Sequence, residues 1–352
     1  MVVLGWRSAP RLMGCLAAIR DSRPATAYEI IVSLNDPAPG LEEEIAAADP
    51  EVRVTSSSVN RGFAGGCNRG ASLAVGEYIV LLNDDTEVEP GWLDALVTTA
   101  DSQPSAGAVG SLVLAADGTV ESAGSVVWRD GSTAHVSEAL LPDPDVLYRP
   151  RRTDFCTAAS LLVRKRVWDE LGGFDERYYP AYVEDVDLCF RIAALGLEVR
   201  YEPRSRVRHR AGSSRSDRYG DFLWQRNLPF FASRFKDELA HQEWWGPDDP
   251  GAMARAVAAA DRGTARPEPT GDPTSLVAAS FGDEHFLAAE RDVLRDYADY
   301  LEDRLEELEG ELAQLDDLRA RLRDLQGSTT WRLTAPLRSV GGWWRRSRHA
   351  GR

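Results

Sequence analysis

Three places in the 352-residue chain combine residue types that acid–base or metal chemistry needs. Asn83-Asp84-Asp85 abruptly ends the apolar run YIVLL. Carboxylates at the carboxyl end of a strand can hold a hard cation such as Mg2+ or Mn2+, and through it a diphosphate. Asn and Asp also end strands in ordinary turns by bonding nearby backbone, and taken alone a turn explains them. The second place is YVEDVDLCFRIAALG, where Glu184, Asp185 and Asp187 open an amphipathic helix. Capping and the helix dipole account for one or two acidic residues there. Three in four positions exceed that need, and paired carboxylates can supply a general base. The third is His209 in EPRSRVRHRAG, which follows a predicted strand among arginines. Apolar burial is not expected for it, which leaves a metal ligand or a surface residue.

A fourth segment, NRGFAGGCNRG over residues 60–70, is dense in glycine. Either it is a loose turn between core elements or its backbone comes close to a ligand. It lacks GK[ST], so it is not a Walker loop.

The elements that must position these residues alternate at the start of the chain. VVLGW, EIIVSLN, VRVTS, EYIVLLN, AVGSLVL, ASLLVR and EVRYEP read as strands. RLMGCLAAIR, GLEEEIAAA, GGCNRGASLAV, WLDALVTTA and VDLCFRIAALG read as helices. Such alternation predicts an α/β domain with a mainly parallel sheet. In open sheets of this kind ligands gather at the carboxyl ends of the strands, where Asn83–Asp85 stand.

Composition narrows the setting. With 41 basic against 56 acidic residues, the net charge is −15 and no basic stripe runs through the first 240 residues, so nucleic acid is not an expected partner. Cys15, Cys67, Cys156 and Cys189 are widely spaced without a CxxC pair, and read as reduced, mostly buried thiols of a cytoplasmic protein. No secretory leader is visible, and no run approaches the roughly 18–20 apolar residues of a membrane span.

The composition then changes. Residues 236–282 are expected to be a partly disordered linker, Pro/Gly/Ala-rich from 246. Residues 283–326 carry an apolar stripe, Tyr297, Leu301, Leu305, Leu308, Leu312, Leu315, Leu318, Leu322 and Leu325. Its mostly alternating steps of three and four, with phase slips at 301 to 305 and 315 to 318, predict a coiled coil, either self-associating or bound to a partner, with a lone helix packed on the domain as the other reading. The tail, 327–352, sets Trp331, Trp343 and Trp344 among arginines; it reads either as disordered or as a segment lying at an anionic membrane surface.

Taken in order, NRGFAGGCNRG, GEYIVLLNDDTEVEPGWL, DGTVESAG, DELGGFDERYYPAYVEDVDLCFRIAALG and VRHRAGSS resemble the rhamnosyltransferase-like bacterial group of family 2 glycosyltransferases. The likeness covers roughly residues 2–235. It implies a GT-A fold over 1–235, in which a mainly parallel mixed sheet binds a nucleotide-diphosphate sugar. It further implies an inverting, metal-dependent transfer of rhamnose or a similar sugar to a hydroxyl of a cell-surface polysaccharide or glycolipid. Asp85 and His209 would hold Mn2+ or Mg2+, Asp185 would be the catalytic base, and Glu184 its neighbour in the acceptor site. Asn35, Asn60, Gly62, Asn68, Asn83 and Asp84 would line the donor. Family members usually carry Asp where this chain has Leu34, so Asn35 or Asp36 takes that place or base recognition is looser. Ala158 replaces a common glycine and narrows the expected acceptor floor. The competing expectation is a catalytically weak relative that serves another transferase as a coiled-coil partner. A nucleotidyltransferase would want a basic glycine-rich loop after the first strand, which LGWRSAPR lacks. The enzyme is expected in the cytoplasm, with a peripheral contact to the plasma membrane through 327–352.

Overall fold

The computed structural model describes residues 1–6, 9–141, 143–210, 218–246, 249, 251–263, 276–302 and 304–305. The chain separates into a unit over Met1–Asp292 and a second over Val293–Arg352.

The first unit is built on twelve strands: β1 (Val2–Trp6), β2 (Ile31–Asn35), β3 (Arg53–Ser57), β4 (Tyr78–Asn83), β5 (Thr86–Val88), β6 (Ala106–Leu114), β7 (Val120–Ala123), β8 (Ser125–Val127), β9 (Thr133–His135), β10 (Arg151–Arg152), β11 (Ser160–Arg164) and β12 (Glu198–His209). Among the described residues up to 263, nine α-helices accompany them: α1 (Ala9–Ser22), α2 (Leu41–Ala48), α3 (Gly62–Ala71), α4 (Trp92–Ser102), α5 (Lys165–Leu171), α6 (Glu184–Ala194), α7 (Arg218–Arg234), α8 (Lys236–Leu239) and α9 (Ala252–Arg262).

The main sheet runs β10-β12-β6-β11-β4-β1-β2-β3, with β5 added to β12 and β7 to β6. β1, β2, β3 and β4 are mutually parallel, β6 and β12 are parallel, and β11 is antiparallel to both β4 and β6. The central strands are almost unbroken apolar runs because helices cover both faces. β4 shows the period of two: Ile79 and Leu81 join one apolar cluster, Val80 and Leu82 the other. The first cluster includes Ala64 and Cys67 of α3, Val167 of α5 and Phe190 of α6. The second includes Leu12 and Ile19 of α1 with Trp92 and Leu96 of α4. All four cysteines are free and buried, as expected.

Within 236–282, expected to be a partly disordered linker, Lys236–Leu239 and Ala252–Arg262 are helical. α9 buries Met253, Ala256 and Val257 against the first cluster. Residues 278–286 lie across the start of α3: the Ala278 amide bonds Leu171 O at 2.9 Å, the Phe281 amide bonds Glu176 Oε2 at 2.6 Å, and Phe286 is fully buried. Its alanine-rich composition hid α9, and one Phe behind a turn gives no periodic signal. Residues 283–302 are helical; those of the coil prediction from 306 to 326, and the tail 327–352, lie outside the described residues. Among the described residues no helix is long and apolar enough to cross a membrane.

Candidate active site

The turn after β4 and the end of β12 build one side of the site. Thr86 Oγ1 donates to Asn83 O at 2.7 Å, which folds Asn83–Asp85 into a tight corner between β4 and β5. β5 pairs antiparallel with β12 in the register Val88↔Val207 and Thr86↔His209, so the histidine is delivered to that corner. The Arg210 amide donates to Asp85 O at 2.9 Å and closes it. His209 Nε2 then stands 3.0 Å from Asp85 Oδ1, and its Nδ1 stands 3.3 Å from Glu121 Oε1 on β7. His209 is 7% exposed. Burial opposes its charge, yet the two carboxylates outweigh burial and hold its pKa near 10. The neighbouring Asp84 is pushed up to about 6, first by burial and then by the charge of Asp85.

These groups are close but not aligned as hydrogen bonds: both ring nitrogens of His209, Asp85 Oδ1 and Asn83 Oδ1 are buried without a hydrogen-bond partner. Leaving such atoms unsatisfied is costly, and a cation is one way to satisfy them. The 3.0 Å between Nε2 and Oδ1 matches adjacent ligands around an octahedral ion bonded at about 2.1 Å. Among the described residues no three His, Cys, Asp or Glu side chains form a closed metal-binding group. Asp85 and His209 would therefore suit a hard cation as two of its ligands.

α6 builds the opposite side. Asp185 Oδ1 accepts from the Val186 amide at 2.9 Å and its Oδ2 from the Ala158 amide at 3.2 Å, which fixes the carboxylate at the helix start. Glu184 is buried, and burial followed by the charge of Asp185 raises its pKa well above 4.5. Burial thus disfavours the charged form of Glu184 beside the less buried Asp185. Asp187 belongs elsewhere. Fully buried, it pairs with Arg191, takes a bond from Tyr178 Oη at 3.0 Å and meets Arg234 of α7 at 2.9 Å. Its task is to lock α6 against α7.

The turn leading into α6 is strained. Tyr182 and Val183 have φ of 78° and 77°, a region that bulky residues rarely enter. Asn227 of α7 holds it: its Nδ2 lies 3.2, 2.9 and 3.0 Å from the carbonyl oxygens of Tyr178, Ala181 and Tyr182. Nothing in the sequence around Asn227 announces this role.

Both sides open on one cleft of about 410 Å3, lined by Asn83, Glu121 and His209 on the first side and by Glu184, Asp185 and Ala158 on the second. Thr133 and His135 of β9, with Trp224 of α7, form its outer wall.

A family model described as "Glycosyl transferase family 2" matches residues 6–167. Over those residues the sequence has the pattern of a family 2 glycosyltransferase domain. The matched span holds Asn83–Asp85 and Glu121, whereas Glu184, Asp185 and His209 follow it. The chain is 34% identical over 188 residues to an O-antigen biosynthesis protein, RfbC, of Myxococcus xanthus, covering 51% of this chain and 14% of that one. It is 28% identical over 239 residues to an N-acetylglucosaminyl-diphospho-decaprenol L-rhamnosyltransferase of Mycobacterium tuberculosis, covering 61% of this chain and 76% of the relative. The chain thus spans only about 14% of RfbC and 22% of a second relative, the protein y4gI of Sinorhizobium fredii. Among solved structures, it matches GalNAc-T7 crystallised with UDP, GalNAc and Mn2+ at TM-score 0.53 and 18% identity, covering 78% of this chain and 52% of that one. A mannosyltransferase of Pyrobaculum calidifontis, solved with GDP-Man and Mn2+, matches at TM-score 0.51 and 18% identity, over 83% of this chain and 79% of its own. The GT-A fold expected from the sequence is therefore the fold of this domain.

The glycine-rich segment of the transferase domain divides its labour differently from the donor-lining expectation. Gly62 has φ +67°, and a Cβ there would sit 2.5 Å from Pro180 O, so only glycine fits. Asn60 Oδ1 accepts from the Gly62 amide at 2.9 Å. Gly66 and Gly70 let α3 lie directly on the sheet, since a Cβ would meet Leu4 at 2.3 Å and Val2 at 2.5 Å. Asn68, expected at the donor, spends its amide on Phe174 and Glu176: Nδ2 donates to Phe174 O at 2.8 Å and Oδ1 accepts from the Phe174 amide at 2.9 Å. Asn35 is 2% exposed and donates to Gly62 O at 2.6 Å, holding the segment from behind. In both, a buried amide satisfies backbone groups that close packing brings together.

Proposed function

We propose that this protein is an inverting, metal-dependent glycosyltransferase that moves a sugar from a nucleotide-diphosphate donor to a hydroxyl of a glycan or glycolipid. The observation that carries the proposal is the cleft itself: Asp185 and His209 line one cavity, and His209 Nε2 stands 3.0 Å from Asp85 Oδ1.

Asp185 takes the proton from the acceptor hydroxyl, which attacks the anomeric carbon from the side opposite the leaving diphosphate. Two backbone amides hold the Asp185 carboxylate where the residue lines the cleft. Attack from the opposite face through an oxocarbenium-like state inverts configuration. Asp85 and His209 hold the cation, which when bound supplies Lewis-acid stabilisation of the charge growing on the diphosphate. Burial favours the neutral form of Glu184, and in that form it can donate a hydrogen bond to the acceptor.

Support for the donor and metal comes from structural neighbours solved with UDP or GDP-mannose and Mn2+, and support for rhamnose from the mycobacterial relative. The outer wall of Thr133, His135 and Trp224 suits a sugar ring, offering an aromatic face beside polar side chains. A glycolipid acceptor accords with a peripheral place at the inner membrane face, with the 283–326 stripe serving self-association or a partner.

The test is calorimetric titration of dTDP, UDP and GDP, each with and without Mn2+, into the wild type and Asp85→Ala. Cation-dependent binding of one nucleotide, lost in the variant, supports the proposal and names the donor class. Binding of none by the folded protein rejects it in favour of a non-catalytic partner.

A further inference from the structure

His209 is bracketed by two carboxylates, of which only Asp85 is accounted for by the cation site. Glu121 comes from another part of the sheet. β7 pairs with β6 in the register Leu114↔Val120, and β6 pairs with β12 in the register Leu114↔Arg208, so Glu121 and His209 are carried to the same edge of the cleft. There Glu121 Oε1 stands 3.3 Å from Nδ1, while Nε2 faces Asp85 Oδ1. The two ring nitrogens therefore have different neighbours, one on the cation side and one away from it.

An imidazole that ligates a cation through one nitrogen holds a proton on the other, and a carboxylate accepting that proton's hydrogen bond fixes the tautomer and ring plane and strengthens the ligand. Ser122, next in sequence, is occupied with Gly124 O at 3.3 Å and does not compete for the ring. Glu121 is 23% exposed in its side chain and has no cationic Lys or Arg in ion-pair contact among the described residues. Its contact is the histidine.

We propose that Glu121 is the positioning residue of the cation site, accepting the Nδ1 proton of His209 so that Nε2 is the nitrogen presented beside Asp85. This rests on the metal-dependent reading of the site given above. It gives the DGTVESAG segment a task, since that segment is a β7 whose register delivers one acceptor to the back of the histidine.

The experiment measures Mn2+ affinity by calorimetry on the full chain, in the presence of the nucleoside diphosphate the wild type binds, for wild type, Glu121→Gln and Glu121→Ala. Nucleotide binding without cation and thermal melting are recorded in parallel. Glu121→Ala is expected to weaken Mn2+ binding by about 10- to 100-fold while cation-free nucleotide binding and melting stay near wild type. Glu121→Gln, which keeps an acceptor oxygen, is expected to retain most of the affinity. Wild-type Mn2+ affinity in Glu121→Ala overturns the inference and leaves the metal-dependent reading standing. A loss in Glu121→Gln as large as in Glu121→Ala also overturns it, assigning Glu121 to direct ligation. Cation-independent nucleotide binding by the wild type overturns the metal-dependent reading, and the inference with it.

Discussion

His209 Nε2 lies 3.0 Å from Asp85 Oδ1 because the β5–β12 ladder sets His209 opposite Thr86, one residue beyond Asp85. The pair is made by strand register rather than by a flexible loop, which holds a two-point site ready before any ligand arrives. Replacing His209 by Ala removes one of the two proposed ligands and leaves the corner folded, since Thr86 and Asn83 retain their bond. Cation-dependent nucleotide binding should fall by at least the roughly 10- to 100-fold typical of losing an outer partner. Calorimetry with Mn2+ checks this, and an unchanged affinity would remove His209 from the site.

Asp185→Asn preserves the shape of the α6 start but abolishes the base. Transfer should slow by about 10²- to 10⁴-fold, the usual worth of a positioned general base, while the donor binds as before. Rate and donor affinity measured on the same preparation decide between a chemical and a binding role. A parallel loss of both would mean that Asp185 serves the donor.

Glu184 gives a stability signature with an unusual sign. Its folded pKa lies well above 4.5 because of burial and the adjacent Asp185. Above pH 4.5 the unfolded chain releases that proton while the folded one keeps it, so rising pH favours unfolding until the folded pKa is passed. Glu184→Gln removes this term. Its melting temperature should match the wild type near pH 4.5 and exceed it progressively toward alkaline pH, as paired thermal scans would show. A gap that narrows with rising pH would contradict the assignment.

Asn227 restrains the strained turn that aims Asp185. Residues held at φ near +77° cost of order 1–3 kcal/mol each, and the turn keeps them only while its carbonyls are satisfied. Asn227→Ala leaves the carbonyl oxygens of Ala181 and Tyr182 without that donor. Stability should drop by about 1–3 kcal/mol in urea titrations. The turnover rate should fall further than donor affinity, because the disturbance is on the Asp185 side of the cleft. Equal losses in both would argue for a general loosening instead.

Much of this was legible beforehand, for reasons that differ by residue. β4 announced itself because a strand buried on both faces is an unbroken apolar run, and Asn83–Asp85 mark where it stops. Asp185 was visible as part of an acidic excess, yet Asp187 in the same excess is the counter-ion of Arg191 and Arg234, a distinction that needs tertiary contacts. Asn68 and Asn35 look like ligand contacts in a glycine-rich segment but hold backbone in place. Glu121, Asn227 and β5 gave no signal, since each acts through partners far along the chain. Alternation lasting only three or four residues is too short to read.

The segment 278–286 supplies the last prediction. Phe286 is fully buried, its ring 5.7 Å from that of Tyr179 and 5.4 Å from the Arg61 guanidinium, and it fills the space over Gly65. Arg61 also pairs with Asp283, so the start of α3 and the Tyr179 loop share one clamp from the C-terminal side. Truncating a buried Phe to Ala typically costs about 3–5 kcal/mol, and here the loss falls beside Gly62 and the turn into α6. Phe286→Ala should therefore lower the denaturation midpoint and weaken nucleotide binding together, whereas Leu287→Ala, at 56% exposure on the same helix, should change neither. Urea titration and calorimetry on the two variants test this. If Phe286→Ala melts like the wild type, the segment is an unattached linker after all.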